Sequence, residues 1–128
     1  DFAKTAPYRV LFFNWYAETD REEFYVDSVC RRRDTGEMIC FKEEIYHLET
    51  DTYYTLYFVP PREKIDFLAV FEETCQATTE IGGRAVHWSK ELNSVRAWFS
   101  YENCNYFLLA EGTEEPEPVL NEIKALFA

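Results

Sequence analysis

Glycine and proline are scarce, four and five among 128 residues. So few cannot make a flexible linker or a low-complexity segment, and no self-similarity recurs at a period of about 20–50 residues. A single domain over residues 1–128 follows, long enough to bury roughly two-thirds of its unfolded surface. No run approaches the ~18 consecutive apolar residues of a membrane-spanning helix. Basic residues are also short: 13 Lys and Arg stand against 24 Asp and Glu, for a net charge of −11. A phosphate backbone or an anionic membrane surface would be repelled, since the one basic run is Arg31-Arg32-Arg33. The acidity suits a cationic partner, or serves solubility alone. The chain opens Asp1-Phe2-Ala3 with no signal-peptide pattern. The expectation is a mature or truncated chain whose targeting segment has been removed.

Catalytic signatures are missing as well. G-x-S-x-G, a P-loop and G-x-G-x-x-G are absent, as are CxxC and any Cys/His spacing suited to zinc. No catalytic residue, cofactor ligand or metal ligand is therefore assigned. Two constellations come closest to chemistry. Glu43 and His47, with Glu44, Glu49 and Asp51 nearby, suggest a carboxylate/imidazole metal site. Residues four apart on a strand share a face but lie ~13 Å apart, too far to share an ion. His87, between Val86 and Trp88, could act as a general base opposite Arg96, but no nucleophile is placed for it.

Cysteine is informative. There are four, at positions 30, 40, 75 and 104, which allow two disulfides or a set of buried thiols. The stretch VDSVCRRRDTGEMICF reads as a hairpin with Asp34-Thr35-Gly36 as its loop. Arg33 then opposes Glu37 and Cys30 opposes Cys40, at a Cα separation of about 4.5–5.5 Å that a disulfide spans. The expectation is a Cys30–Cys40 bridge in an exported protein; the alternative is two reduced thiols on one sheet face.

What the chain has in abundance is aromatic side chains, 11 Phe, 9 Tyr and 3 Trp. These suit half-buried pleated sheet. Residues Ile81 to Gly112 read as a three-strand antiparallel meander. With turns centred on Glu91-Leu92 and Asn103-Cys104, Trp88 faces Val95, Phe99 faces Leu108 and Ala97 faces Ala110. One face collects Val86, Trp88, Val95, Ala97, Phe99, Tyr101, Tyr106, Leu108 and Ala110; His87, Arg96 and Ser100 point away. Next comes an amphipathic helix. Pro116 and Pro118 fall in its first turn, and Val119, Leu120, Ile123, Leu126 and Phe127 form one stripe. That stripe is expected to cover the meander's apolar face.

Upstream, Tyr8 to Ala17 reads as a first strand. Residues 20–33 are open between helix and strand, and strand is favoured because FYVDSVC is aromatic and β-branched. Glu37 to Glu49 is the return strand, with Lys42-Glu43-Glu44 as a solvated or bulged section. Tyr53 to Val59 is another strand, closed by Pro60-Pro61. Ile65 to Phe71 returns antiparallel or begins a short helix, and Glu72 to Glu80 is a polar connection. The fold class is α+β: a mostly antiparallel, curved meander sheet of about seven strands, with the C-terminal helix packed on one face.

From Tyr53 onward, the PP turn, Ile81-Gly82-Gly83, the pair Ala97-Trp98-Phe99 and Tyr106-Phe107-Leu108, and the acidic lead into a helix stand in an order that resembles a known group. It is similar to small extracytoplasmic domains of unknown function carried by bacterial lipoproteins and anti-sigma factors. The resemblance implies a fold and an extracytoplasmic location, and no catalytic residue.

The second sheet face carries Trp98, Phe107 and Leu109. Uncovered, they make an apolar binding patch; the alternative is that Tyr8 to Ala17 or another layer packs over them. The expected role is a non-enzymatic extracytoplasmic accessory or binding domain for an unknown protein or small ligand. Two alternatives stand: an acidic intracellular interaction protein of the secretion-chaperone or immunity-protein kind, and a small-molecule enzyme with a sheet-lined pocket.

Overall fold

The structure, a computed structural model, describes residues 23–31, 33–47, 50–60 and 68–127. Its elements are β1 (Glu23–Arg31), β2 (Met38–His47), β3 (Thr52–Val59), α1 (Ala69–Thr74), β4 (Ala77–Ile81), β5 (Arg84–Glu91), β6 (Ser94–Tyr101), β7 (Cys104–Glu111) and α2 (Pro116–Leu126). Every strand pairing is antiparallel. The fold is α+β, as the sequence implies. Of the remaining expectations, the strand at Tyr8–Ala17 lies outside the described residues, whereas residues 23–31 are strand.

Strand order departs from a simple meander. It runs β1-β2-β3-β7-β6-β5-β4, so two consecutive runs of hairpins meet in the middle at β3 and β7. Between Pro60 and Ala77 the chain must cross from the centre of the sheet to its far edge, four strand spacings or about 19 Å. The helix α1 lies on that crossing, with Phe71 and Leu68 buried against Phe107 and Val59. Ile65–Phe71 is thus no returning strand where it is described: Leu68 precedes a helical turn. Six residues cannot hold a helix unaided, so α1 depends on those anchors.

The meander's faces are as expected and its register is not. Trp88 pairs with Ala97, not Val95; His87 pairs with Trp98, not Arg96. Phe99 pairs with Tyr106 and Ala97 with Leu108. Each hairpin is shifted by two residues because its turn lies where the chain accepts left-handed backbone. Asn93 has φ 57°, and Glu102 and Asn103 have φ 50° and 67°, so the turns are Leu92-Asn93 and Glu102-Asn103. A shift of two keeps every side chain on its own face. Val86, Val95, Ala97, Phe99, Tyr101, Tyr106, Leu108 and Ala110 are accordingly all buried in one cluster.

The helix α2 covers that cluster. Val119, Ile123 and Leu126 are buried in it, and Leu120 and Phe127 pack at its margin. Pro116 opens the helix with a preset φ, Glu117 sits in its first turn and Lys124 in its last, each favourable to the helix dipole. Thr113 Oγ1 accepts a 3.1 Å hydrogen bond from the Glu115 N–H just before it.

β2 and β4 also differ from expectation. Lys42-Glu43-Glu44 is neither bulged nor fully solvated: its ladder to β3 is unbroken, and Glu43 is only 1 % exposed. Glu43 alternates with Phe41 and Ile45 toward the core, while Lys42 and Glu44 pair at 3.2 Å on the other face. The end of the stretch expected to be polar connection, Ala77–Ile81, is a strand at the sheet's edge.

Candidate functional site

Because β3 lies beside β7, the register aligns one residue from each of six strands across the sheet. The row is Thr78, His87, Trp98, Phe107, Tyr57 and Lys42. All six lie on the face away from α2. Strands about 4.8 Å apart bring flat side chains at neighbouring positions into stacking distance. His87 stacks on Trp98 with ring centroids 4.6 Å apart and planes at 28°. Trp98 in turn lies 6.4 Å from Phe107, at 23°. Thr78 Oγ1 and His87 Nδ1 are 3.0 Å apart, a hydrogen bond that fixes the imidazole against the indole.

The next row supplies polar groups. Arg96 places its guanidinium 5.7 Å from the centre of the Phe71 ring, and Phe71 meets Phe107 edge to face at 5.5 Å. Cys75, at the end of α1, lies 3.8 Å from Ser89 Oγ and directs its thiol to the Arg96 carbonyl at 3.5 Å. Burial pushes the Cys75 thiol up from its ordinary pKa, against the opposing effects of Ser89, Thr74 and Arg96. It stays protonated at neutral pH, which makes it a packing group and a poor nucleophile. Burial likewise raises Tyr57.

Of the residues expected to form a patch, Phe107 is buried at 5 % exposure, and Trp98 and Leu109 are partly buried beside it. They belong to one cluster with Val59, Leu68, Phe71, Cys75 and Tyr57. The layer over Phe107 is α1. The indole Nε1 of Trp98 is buried, with no acceptor among the described residues. Sequence reasoning missed Tyr57 and Thr78 as members of the row. Tyr57 alternates with the core residues Leu56 and Phe58, a readable signal; its place beside Phe107 needs the β3–β7 pairing.

Cys30 and Cys40 are directly opposed in β1–β2, as the hairpin reading requires, although beyond Cys30 the register slips so that Arg31 pairs with Met38. The expected bridge is not formed: Cys40, like Cys75 and Cys104, is a buried thiol. Its sulfur donates to the Phe41 carbonyl at 3.7 Å. Glu43 and His47 both face the core side of β2, where the His47 ring meets Tyr54 edge-on at 5.3 Å. Among the described residues, no three His, Cys, Asp or Glu side chains converge where they could hold a metal ion, and no helix is long and apolar enough to cross a membrane.

Comparison with protein-family models, curated proteins and solved structures found no match.

Proposed function

We propose that this chain is a non-enzymatic accessory or binding domain acting outside the cytoplasm, and that it binds through the part of the aromatic row on the second sheet face that α1 leaves open, the half-buried His87, Trp98 and Tyr57. The observation that carries this reading is the stack His87–Trp98–Phe107, flanked by the half-buried Tyr57 and Leu109 and by the Arg96 guanidinium. Trp, Tyr and Arg beside a buried apolar centre are the residue types that dominate binding energy at interfaces. The test compares immobilised wild-type protein with Trp98→Ala and with Leu92→Ala, the latter altering an exposed turn residue far from the row. A partner retained from native extract should bind Trp98→Ala at least tenfold more weakly, with Leu92→Ala unaffected. Equal retention by all three, with circular dichroism showing folded variants, refutes the reading.

The extracytoplasmic part rests on the facing positions of Cys30 and Cys40, which oxidation would bridge. The thiols of Cys40, Cys75 and Cys104 favour a second reading, an acidic interaction protein of a reducing compartment whose charge of −11 suits a cationic partner. Alkylation of natively purified protein unfolded in denaturant, with and without reductant, followed by intact mass, decides between them. Two thiols protected until reduction, mapped to Cys30 and Cys40, support export; four reactive thiols support the second reading.

A further inference from the structure

We infer that β4 is a self-pairing edge, through which two copies of this chain join their sheets about a two-fold axis at Thr79. The pairing uses the outward backbone groups of β4, whereas the aromatic row uses side chains on one sheet face; the two meet only at Thr78, whose hydroxyl belongs to the row and whose backbone faces the edge.

One row of β4 backbone groups has no partner among the described residues. Among the described residues β4 ends the sheet, with β5 as its one neighbour. Ile81 and Arg84 close a two-residue turn at Gly82-Gly83, both left-handed at φ 58° and 79°, so they form the hydrogen-bonded pair that such a turn requires. Alternation along the ladder then directs the amides and carbonyls of Thr79 inward to Val86, and those of Thr78 and Glu80 outward. The outward groups flank Thr79 symmetrically. A two-fold axis at Thr79 therefore sets Thr78 against Glu80 of the second copy and vice versa, and each such pair forms two hydrogen bonds. No like charges meet, because Glu80 faces a threonine. On the α2 side of the sheet, Ala77 meets the second copy's Ile81, small against large.

The helix beside this edge repeats the symmetry in charge. A groove of about 300 Å³ between β4 and α2 is lined by Thr79, Ile81, Pro116, Leu120 and, along one helix face, Glu117 and Lys124. Its floor is fixed by a 2.9 Å hydrogen bond from the Trp88 indole to Thr79 Oγ1. The C-terminal end of α2 lies at the end of β4, where Phe127 comes within 3.6 Å of the position a Cβ would take on Gly82. The two-fold axis thus runs the second helix antiparallel to the first and turns Glu117 of each copy toward Lys124 of the other. An unrelated extended segment would gain the backbone hydrogen bonds of an open edge; only a second copy also satisfies the Glu117–Lys124 reversal.

The interface is small and joins two chains of charge −11, so a weak dimer is expected, with Kd roughly 10–100 µM and tighter at high salt. Sedimentation equilibrium of the whole chain from about 1 µM to 1 mM should show passage from the 15.2-kDa monomer to twice that mass. Glu80→Pro removes an outward donor, leaves the β4–β5 backbone bonds and the Thr78–His87 hydrogen bond in place, and should weaken the dimer at least tenfold. Glu117→Lys, which sets lysine against the second copy's Lys124, should weaken it similarly, and the double swap Glu117→Lys with Lys124→Glu should restore it. A monomer at every concentration, or a dimer indifferent to both Glu80→Pro and Glu117→Lys, overturns the inference. The charge swap keeps the test decisive if the proline variant fails to fold.

Discussion

Tyr54 shows how one buried hydroxyl ties stability to pH. It sits in the main core cluster at 6 % exposure, and burial, with a smaller contribution from Glu122, pushes its pKa up from the usual 10.0 to about 12. The folded state then holds a proton that the unfolded chain releases near pH 10. The corresponding stability is fully present below pH 10 and is lost as pH rises from 10 through 12. Tyr53, Tyr57, Cys75 and Cys104 are also raised, each chiefly by burial, and act in the same sense. The difference between wild type and Tyr54→Phe isolates the one residue. Urea denaturation at pH 8, 10 and 11 should show wild type losing stability more steeply than Tyr54→Phe above pH 10, by at most about 1.4 kcal/mol per pH unit. Parallel profiles would mean that Tyr54 titrates normally in the folded protein.

Between elements, the decisive contacts are made by turn backbone. Gly112, at the exit of β7, has φ 97°, and a Cβ there would fall 2.3 Å from the carbonyl oxygen of Asp51 in the β2–β3 turn. Its N–H donates to the Asn93 carbonyl at 2.9 Å, and the Asn93 N–H reaches Glu114 Oε2 at 3.0 Å. Three connections that are distant in sequence are thereby locked at one end of the sheet. Gly112→Ala adds both a clash with backbone and a left-handed strain. It should cost about 2–4 kcal/mol, read as a lower denaturation midpoint; a loss under about 0.5 kcal/mol would show that the lock is loose. The same turns explain what sequence could give. The faces of β5, β6 and β7 and the stripe of α2 were legible, since apolar periodicity survives a shift of two. Register was not legible, because it depends on whether Asn93, Glu102 and Asn103 accept left-handed backbone. Ala77–Ile81 escaped because an edge strand exposes Thr78 and Glu80, and its polar residues mimic a loop. Glu43 misled in the opposite way: a charged triplet reads as solvent-facing, yet the pleat turns its middle member inward.

For the molecule as a whole, two properties govern behaviour, topology and charge. The aromatic row could be read only in part, Trp98 and Phe107 from alternation, since Tyr57 joins them through β3–β7, a pairing of strands about fifty residues apart. Charge is legible from composition alone, and it decides how stability responds to salt. With 24 acidic against 13 basic residues, self-repulsion opposes compaction, whereas a surface pair such as Lys42–Glu44 contributes about 0–1 kcal/mol. If such pairs dominated, salt would destabilise; the charge imbalance makes repulsion outweigh them. Raising NaCl from 10 mM to 500 mM shortens the screening length from about 30 Å to about 4 Å. That should add about 1 kcal/mol, a rise in Tm of roughly 3–5 °C. The measurement belongs at about 2 µM chain, below the concentration at which β4 edges pair, so that mass action does not contribute. An equal rise in an uncharged osmolyte of matched osmolality would assign the effect to solvent exclusion, and a fall in Tm would make local ion pairs the stronger influence.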